Sequence, residues 1–463
     1  MRTRAELSIL EVHHEQLLAH LFRRRDVETA AYLRCGVAEM DGTVKLLVRE
    51  VIPVRDDHYL RRDSLGISVD SASYAPVLKA AAAQNDAVVL VHTHPDGPPR
   101  FSRQDDIEDH RFFPCVHTRI PGRPHASLVF TPEGDLDGRV WHDDGTSSSL
   151  GRINVLGSRF RVFGTDPDGS PVPAFFDRQT RAFGPEIQRL LQQLRIGVVG
   201  AGGTGSAVFE QLLRLGVGKL LVIDHDVIEA SNLSRVHGSG VPDIGLPKVA
   251  LAARTAREAG LPSSVEVLQG DVTTEEVARR LRECDLLFGC TDRHLPRAIL
   301  ARLSTRYLIP IFDLGVVIDS ASGQVRAVVG RVTTVLPGTS CLLCRGRIDP
   351  HQIRAEALSP EQRQGEAAEG YLPELGVMDP AVISFTTATA SFAVADLLHR
   401  LTGYMGGRQS TETLLLFHHP EVRSNAVPPE SWCDCAQSPS WGRGDEEPFL
   451  GMTWRQPIRP HTQ

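Results

Sequence analysis

The chain has 463 residues, of which 41% are hydrophobic and 23% are charged. It is therefore too long for one ordinary core and too apolar to be disordered, so we expect two or three domains. The 50 Lys and Arg residues against 57 Asp and Glu leave a formal net charge of -7. This balance argues against a protein that coats nucleic acid, because such binding needs clustered cations.

The N-terminal residues, the apolar segments and the cysteine content favour one cellular compartment, the cytoplasm, over secretion or the membrane. The first residues, MRTRAELSILEVHHEQ, carry acidic residues and histidines where a signal peptide needs an apolar stretch. The most membrane-like segment, 381–395, is shorter than a span and rich in Thr and Ser. The eight cysteines, some in close pairs, are typical of intracellular thiols with metal-ligand spacing. We expect a cytoplasmic enzyme that does not contact a membrane.

Patterning along the chain divides it into two parts joined by a linker. Residues 1–145 mix short strand-like runs with amphipathic helical stretches, which predicts a compact α/β unit. Residues 146–175 are rich in Gly, Ser, Pro and Asp and predict a linker with room for one hairpin. Strands and helices then alternate through residues 176–463, as in a doubly wound fold. The polar segment 349–376 is interpreted as either a functional loop or a disordered one.

A candidate metal site lies in the segment VHTHPDGPPRFSRQDD. His92 and His94 are two residues apart at the end of an apolar strand, so both rings project from the same face. Asp105 follows eleven residues after His94, with Ser102 three residues before it. A carboxylate there could complete a His-His-Asp site whose open fourth position holds water, and zinc lowers the pKa of such water to about 7. The alternative is a pair of solvated strand-end histidines.

This pattern resembles the JAMM motif of the JAB/MPN metalloprotease family, which reads Glu, then His-Ser/Thr-His-Pro, six residues and Ser-x-x-Asp. The resemblance implies a JAB/MPN α+β fold and a catalytic zinc ion on His92, His94 and Asp105. It also implies that Ser102 helps to hold the water or the oxyanion.

The family also has an upstream glutamate that acts as general acid and base. We expect Glu28 in VETAAYLRCG to have this role, because the family's glutamate precedes a short apolar strand in the same way. Glu39 and Glu50 are the alternatives.

A glycine-rich turn, GAGGTGS, follows a predicted strand and opens a helix. It contains Gly200, Gly202, Gly203 and Gly205. Glycines at such a turn let the backbone approach phosphates, and the helix N-terminus favours their charge. Asp224 lies 24 residues after Gly200 at the end of the next strand and suits a ribose hydroxyl. These features alone would indicate an NAD site.

The polar residues farther along favour cleavage of ATP instead. Asp226, Asn232, Arg235, Lys248 and Asp292 add two cations and further polar groups. Hydride transfer does not need them. Cleavage of ATP between its α- and β-phosphates needs cations that offset the phosphate charge and a carboxylate that binds Mg²⁺. An NAD or FAD site is the alternative.

These separated motifs resemble the ThiF/MoeB/ubiquitin-activating superfamily, which adenylates the C-terminal glycine of ubiquitin-like or sulfur-carrier proteins. The resemblance covers roughly residues 176–435 and implies a Rossmann-like fold with a mixed, mainly parallel sheet. FDRQTRAFGPEIQ resembles the family's Arg-Gln-x-x-x-Phe-Gly motif, whose arginine, here Arg178, reaches the ATP of the other protomer in a homodimer. The resemblance assigns the ribose to Asp224, the phosphates to Asn232, Arg235 and Lys248, and the magnesium to Asp292.

Two close cysteine pairs predict a second metal site. Cys341 and Cys344 precede Cys433 and Cys435, and four thiolates could hold a structural zinc ion, with packing cysteines or a redox pair as alternatives. Members of the superfamily that form a thioester use a cysteine after the first pair, but residues 345–432 contain none. We therefore expect the acyl-adenylate to pass directly to a separate acceptor, such as a conjugating enzyme or a sulfur source.

The two families that the chain resembles both act on the C-terminal tail of a ubiquitin-like protein. We expect a bacterial-type modification enzyme that combines JAMM (iso)peptidase cleavage with ATP-dependent adenylation of the terminal glycine. One alternative is the same chemistry on a sulfur-carrier protein for cofactor or cysteine synthesis. The other is a non-catalytic scaffold that binds a ubiquitin-like partner. The expected cofactors are catalytic and structural Zn²⁺, ATP and Mg²⁺.

Overall fold

The computed structural model describes residues 4–164, 172–359, 362–363, 380–407, 410–419 and 421–454. The chain forms two compact units. The first contains Met1–Asp168, Arg306–Leu308 and Ser438–Glu446, and the second contains Gly169–Thr305, Ile309–Gln437 and Glu447–Gln463. Within the described ranges, none of the helices combines the length and the apolar character that crossing a bilayer requires.

In the part of the chain that the structure describes, the first unit contains ten strands and three α-helices. In chain order they are β1 (Arg4–Leu10), α1 (Glu11–Leu21), β2 (Ala30–Met40), β3 (Thr43–Pro53), β4 (Tyr59–Arg62), β5 (Ile67–Val69), α2 (Ser71–Gln84), β6 (Ala87–Thr93), α3 (Arg103–Arg119), β7 (His125–Phe130), β8 (Leu136–Trp141), β9 (Ser147–Leu156) and β10 (Phe160–Phe163).

Eight of these strands form one sheet in the order β1-β3-β2-β6-β7-β8-β9-β10. Strand β1 also pairs with β9, in parallel, so the sheet closes on itself. Side chains alternate along β2: Ala31 and Leu33 face a core that includes α1, whereas Tyr32 faces a second core that includes α2 and α3. The β4–β5 hairpin is a separate two-stranded sheet.

Residues expected to form the linker contribute to this sheet. Strands β9 and β10 are an antiparallel hairpin within 146–175, and β9 pairs with both β1 and β8. The hairpin that the sequence allowed there is thus part of the first unit.

The second unit begins with two helices and continues as alternating strands and helices. In chain order they are α4 (Asp177–Phe183), α5 (Pro185–Gln193), β11 (Arg195–Val199), α6 (Gly203–Arg214), β12 (Lys219–Asp224), α7 (Lys248–Ala259), β13 (Ser264–Gln269), α8 (Glu275–Arg280), β14 (Leu286–Gly289), α9 (His294–Tyr307), β15 (Ile311–Ala321), β16 (Gln324–Val335), α10 (Pro350–Ala357), α11 (Ile383–Thr402), β17 (Glu412–Leu416) and β18 (Glu421–Ser424).

Its sheet has the order β13-β12-β11-β14-β15-β16-β17-β18. The first five strands of this order, from β13 to β15, are parallel to one another. Strands β16, β17 and β18 extend the sheet by antiparallel pairing. The chain moves outward from β11 through β12 to β13 and then returns to the other side of β11 with β14. This reversal creates a crevice at the carboxyl ends of β11 and β14, where nucleotides bind in such sheets.

A buried charge network supports the antiparallel part of the sheet. The carboxylate of Glu412 at the start of β17 is fully buried. It accepts hydrogen bonds from Arg347 at 3.0 and 2.8 Å, from Thr333 at 2.9 Å and from the side chain of Asn425. These donors lower the free-energy cost of burying the charge.

The polar segment 349–376 begins with α10. Most of the rest of this segment lies outside the described residues, so its interpretation as an ordered or a disordered loop stays a prediction.

Candidate active sites

The two histidines of the first unit and Asp105 meet at one point. His92 is the second-to-last residue of β6, and His94 directly follows the end of this strand. The backbone N–H of His94 donates a hydrogen bond to the carbonyl oxygen of Phe130 at 2.9 Å. The Nε2 atoms of His92 and His94 are 3.3 Å apart, and each lies 3.2 Å from a carboxylate oxygen of Asp105. All three side chains are buried.

These distances fit a tetrahedral zinc ion. Ligand atoms about 2.0–2.1 Å from zinc in a tetrahedron are separated by about 3.3 Å. Two imidazole nitrogens and one carboxylate oxygen are also the donor set of a catalytic zinc site with an open position. The ring nitrogen Nδ1 of His94 lies 3.1 Å from the carbonyl oxygen of Pro98, a contact that orients the ring as outer hydrogen bonds do at metal sites.

The beginning of α3 explains why Asp105 faces the histidines. Ser102 is the N-cap of this helix, and its Oγ accepts a hydrogen bond from the N–H of Asp105 at 3.2 Å. In return, the carboxylate of Asp105 accepts from the N–H of Ser102 at 2.6 Å. This reciprocal capping box fixes the side chain at the helix N-terminus. The hydroxyl proton of Ser102 can still be donated to a substrate oxygen.

Glu28 is the upstream glutamate that lies beside this cluster. Its side chain is buried, and Oε1 is 4.0 Å from Nε2 of His94. Burial raises the pKa of Glu28 to about 7. Among the described residues, no group donates a hydrogen bond to its Oε2. By contrast, the carboxylates of Glu39 and Glu50 are half exposed and pair with Arg123 and Arg34.

In the second unit, the glycine turn lies at the crevice between β11 and β14. Gly200 has φ of 96°, and a Cβ atom there would lie 2.6 Å from the carbonyl oxygen of Cys290, so glycine is required. Gly203 and Gly205 begin α6, whose N-cap is Gly202, and no atom lies within 4 Å of the position of a Cβ on Gly202. The uncapped N-terminus of a long helix therefore faces open space, which fits an anionic phosphate.

Asp224 and Asp226 anchor the same region. Asp224 is buried, and its carboxylate accepts hydrogen bonds from the N–H groups of Ala201 at 2.6 Å and Asp226 at 2.8 Å. Lys248 begins α7, and its Nζ is 2.7 Å from Asp226. Burial raises the pKa of Asp226, but Lys248, His225 and Arg293 outweigh this effect and leave it below its usual value.

Of the other predicted nucleotide ligands, three follow β12 or β14 and Arg178 lies in α4. Asn232 is buried, and its side chain bonds within its own turn, to Glu229 and Ser231. The carbon stem of Arg235 lies 3.2–3.3 Å from where a Cβ on Gly203 would be. Asp292 is exposed in the loop between β14 and α9, and Arg178 is exposed in α4. Arg235 is thus adjacent to the glycine turn.

The four paired cysteines form one cluster despite the unusual Cys-x-Cys spacing. The Sγ atom of Cys341 lies 3.7 Å from that of Cys344 and 3.6 Å from that of Cys433, and Cys344 and Cys435 are also 3.6 Å apart. Sulfur atoms about 2.3 Å from a tetrahedral zinc ion are separated by about 3.8 Å, whereas a disulfide bond is about 2.0 Å long. The cluster therefore fits a structural zinc ion.

Comparison with known proteins places both units in families. The sequence model of the ThiF family matches residues 176–436, which is more than half of the chain. The chain belongs to the ThiF family. The model for prokaryotic homologs of the JAB domain matches residues 10–136. The expected order of a JAB domain followed by a ThiF domain is confirmed, and so is the predicted fold class.

The ThiF domain is similar to activating enzymes. The sulfur carrier protein ThiS adenylyltransferase of Bacillus subtilis is 31% identical over 223 residues, which are 48% of this chain and 58% of that protein. Ubiquitin-like modifier-activating enzyme 5 of Drosophila ananassae is 26% identical over 253 residues, covering 51% and 58%. The chain thus matches little more than half the length of these relatives. Among solved structures, E. coli MccB matches with 16% identity and a TM-score of 0.46, covering 57% of this chain and 76% of that one.

Two features of the ThiF domain were not found from the sequence. One is Arg293, which lies close enough to Asp226 to lower its pKa together with Lys248. Its position directly after Asp292 is the only sequence signal. The other is a small cleft, partly open to solvent, between α6 and α7. It is lined by Gly205, Ser206 and Lys248 of these helices and by Ala201 and His237 beside them.

Proposed function

We propose that the chain adenylates the C-terminal glycine of a ubiquitin-like protein and cleaves peptide or isopeptide bonds at the same C-terminus. The observation that carries this proposal is the occurrence, in one chain, of a JAB-type His92–His94–Asp105 cluster and a ThiF-type glycine turn with its cations. The JAB-type cluster fits hydrolysis at the C-terminus of a ubiquitin-like protein, and the ThiF-type site fits adenylation of that C-terminus.

In the ThiF domain, the glycine turn and the N-terminus of α6 would hold the phosphates of ATP. Lys248 and Arg235 would offset the negative charge that builds up as the substrate carboxylate attacks the α-phosphorus and pyrophosphate leaves. Lys248 would have to exchange its contact with Asp226 for a phosphate oxygen. Asp224 would bind the ribose, and Asp292 would hold Mg²⁺. Arg178 would complete the site of the other protomer in a homodimer.

In the JAB domain, His92, His94 and Asp105 would hold a zinc ion. When bound, zinc supplies a Lewis acid that lowers the pKa of water to about 7. Glu28 would take a proton from the attacking water at Oε2 and pass it to the leaving amine, so that the cleaved carbonyl carbon gains the hydroxyl group. The Ser102 hydroxyl would donate to the carbonyl oxygen.

ATP–pyrophosphate exchange by the full chain tests the adenylation. Exchange should require a ubiquitin-like protein that ends in glycine, and Asp292→Ala and Lys248→Ala should abolish it. Asp319→Ala, which removes an exposed carboxylate of the same unit, is the matched control and should keep full exchange. Absence of exchange with every carrier tested would contradict the proposal.

A sulfur-carrier protein is the second candidate substrate, because one relative of the chain is named as an adenylyltransferase of such a protein. Adenylation would be the same, but the acceptor of the acyl-adenylate would be a sulfur donor. A persulfide donor would displace AMP to give an acyl disulfide, which an added thiol would reduce, so formation of a C-terminal thiocarboxylate with both reagents, measured by mass spectrometry, would favour this candidate. A lysine-linked conjugate formed with a conjugating enzyme would favour modification.

A further inference from the structure

We propose that Arg139 is a positioning residue for the His92–His94–Asp105 cluster. This inference rests on the proposed peptidase function, since it concerns the metal site of that activity. Arg139 lies on β8 and does not touch the three metal-ligating side chains, but it contacts the helix that carries Asp105 and the loop that leads to it.

The first contact of Arg139 is with α3. Its guanidinium donates to Oδ2 of Asp109 from Nη2 at 2.7 Å and from Nε at 3.1 Å, and it also pairs with Asp106. The side chain of Asp109 is 2% exposed, and that of Arg139 is 13% exposed. Two guanidinium nitrogens thus donate to one oxygen of a buried carboxylate, and hydrogen bonds between charged groups are stronger than those between neutral groups.

Asp109 joins this helix to the sheet. Its Oδ2 also accepts a hydrogen bond from the Ser127 hydroxyl on β7 at 2.6 Å and from the Trp141 indole on β8 at 3.2 Å. Asp105 is one helical turn before Asp109 and lies on the same face of α3. The network therefore fixes the rotation of α3 about its axis, and this rotation determines whether Asp105 reaches the histidines of β6.

The second contact of Arg139 is with the loop between β6 and α3. The guanidinium carbon lies 3.9 Å from the centroid of the Phe101 ring. The ring of Phe101 in turn packs edge-on against the ring of His92, with centroids 6.0 Å apart. Phe101 directly precedes Ser102, the N-cap of α3. Through one guanidinium group, Arg139 thus contacts both the helix that carries Asp105 and the ring of Phe101, which packs against His92.

The geometry explains why arginine is needed. A guanidinium can bridge two carboxylates in its plane while its face stacks on an aromatic ring, but a lysine ammonium can form ion pairs without that stacking. Substitutions of residues that support metal ligands typically weaken metal affinity by about 10–100-fold.

Cobalt(II) binding to the full chain tests this role. Cobalt bound to the four cysteines shows thiolate charge-transfer absorption, which distinguishes it from cobalt bound to the histidine site. The cobalt affinity of the histidine site can therefore be measured separately, by competition with a chelator. We expect Arg139→Ala to lower cobalt affinity at the histidine site by about 10–100-fold. Arg139→Lys should recover part of the loss, and the Cys₄ signal should not change.

Arg152→Ala is the matched control. Arg152 is a buried arginine of the same unit that pairs with Glu6 at 3.1 Å, so its removal tests whether a general loss of stability alone weakens cobalt binding. Its cobalt affinity should stay within about twofold of the wild-type value. Equal affinities in wild-type and Arg139→Ala chains, or equal losses in Arg139→Ala and Arg152→Ala, would overturn the role of Arg139.

Phe101→Ala provides a second route should Arg139→Ala fail to fold. It removes the stacking but keeps the ion pairs, and we expect about a tenfold loss of cobalt affinity. An unchanged affinity would overturn the role of this contact and with it the proposal. A wild-type chain that binds no cobalt at the histidine site would overturn the peptidase as well, so the two failures are distinguishable.

Discussion

The carboxylate of Asp224 at the end of β12 is bonded to the N–H of Ala201 in the glycine turn at 2.6 Å. Its other oxygen accepts from the N–H of Asp226. Asp224 therefore shapes the turn that would hold phosphates, and in the proposed function its remaining lone pairs would also bind a ribose. The two contributions predict a larger effect of its removal than the loss of one ribose hydrogen bond.

Asp224→Asn should weaken the binding of a non-hydrolysable ATP analogue by about 10–100-fold. In the asparagine, an amide nitrogen replaces one of the two carboxylate oxygens, and it cannot accept a hydrogen bond from a backbone N–H. One of the two N–H groups, of Ala201 or of Asp226, is then left without an acceptor. A buried donor without a partner costs about 1–3 kcal/mol. Isothermal titration calorimetry measures the loss. Asp226→Asn is the comparison, because it keeps its backbone N–H and should have the smaller effect. Equal effects of the two variants would contradict this account.

Glu28→Gln should abolish cleavage of a ubiquitin-like precursor with a peptide after its terminal glycine. The amide cannot take up a proton, and a general base contributes about 10²–10⁴-fold to the rate. The zinc content, measured by mass spectrometry, should stay unchanged because Glu28 is not among the three ligands. Glu39→Gln, at a half-exposed site beside Arg123, should cleave at the wild-type rate. Cleavage by Glu28→Gln at more than one tenth of that rate would argue against a general base here.

Cys435→Ser should lower the zinc content from two ions per chain to one and reduce the Tm of the ThiF domain. Serine is a poor zinc ligand, and structural zinc sites contribute directly to folding. Cys115→Ser, which changes an exposed cysteine outside the cluster, should alter neither quantity. Two zinc ions retained in Cys435→Ser would show that Cys435 is not needed to hold the second ion and would contradict a Cys₄ site.

Glu412→Gln should destabilise the chain by about 3 kcal/mol at neutral pH, because removing one partner of a buried ion pair leaves the others uncompensated. Burial raises the pKa of Glu412, but Arg347, Asn425 and Thr333 outweigh this and lower it to about 2. The folded-state pKa is below the unfolded value, so the stabilisation is present above about pH 4.3 and is lost as the pH falls toward 2.

Urea unfolding at several pH values checks this dependence. The difference in unfolding free energy between wild-type and Glu412→Gln chains should be constant from pH 7 to about pH 5 and shrink below that. A difference that does not depend on pH would mean that the charge of Glu412 is not what stabilises β17.

Local patterns were sufficient to predict much of both sites. The two-residue spacing of His92 and His94 places both rings on one face of any strand. The Ser102–Asp105 spacing, which matches the JAMM motif, is also that of a helix cap, although no cap was predicted there. Both relations hold in the structure because they depend on only a few consecutive residues. The two cysteine pairs were joined by the kind of ligand they offer and not by local spacing, since Cys341 and Cys433 are 92 residues apart, and they meet in the structure.

Relations between distant segments were not predictable in this way. Arg139 is 30 residues from Asp109, and Glu412 is 65 residues from Arg347. No periodicity links such positions, and the contacts arise only when strands are ordered in a sheet. The sequence favoured Glu28 over Glu39 and Glu50 because it precedes a short apolar strand, and the fold adds its burial and its distance of 4.0 Å from His94.

The pairing of β1 with β9 also bears on how the JAB domain is synthesised. Ala5 is opposite Leu150 and Leu10 is opposite Leu156, so one edge of the first strand waits for about 145 residues of chain to emerge from the ribosome. Until then its N–H and carbonyl groups are open to pairing with another chain. Contacts between such distant positions also slow folding. The sheet of this unit therefore cannot close before β9 has been synthesised.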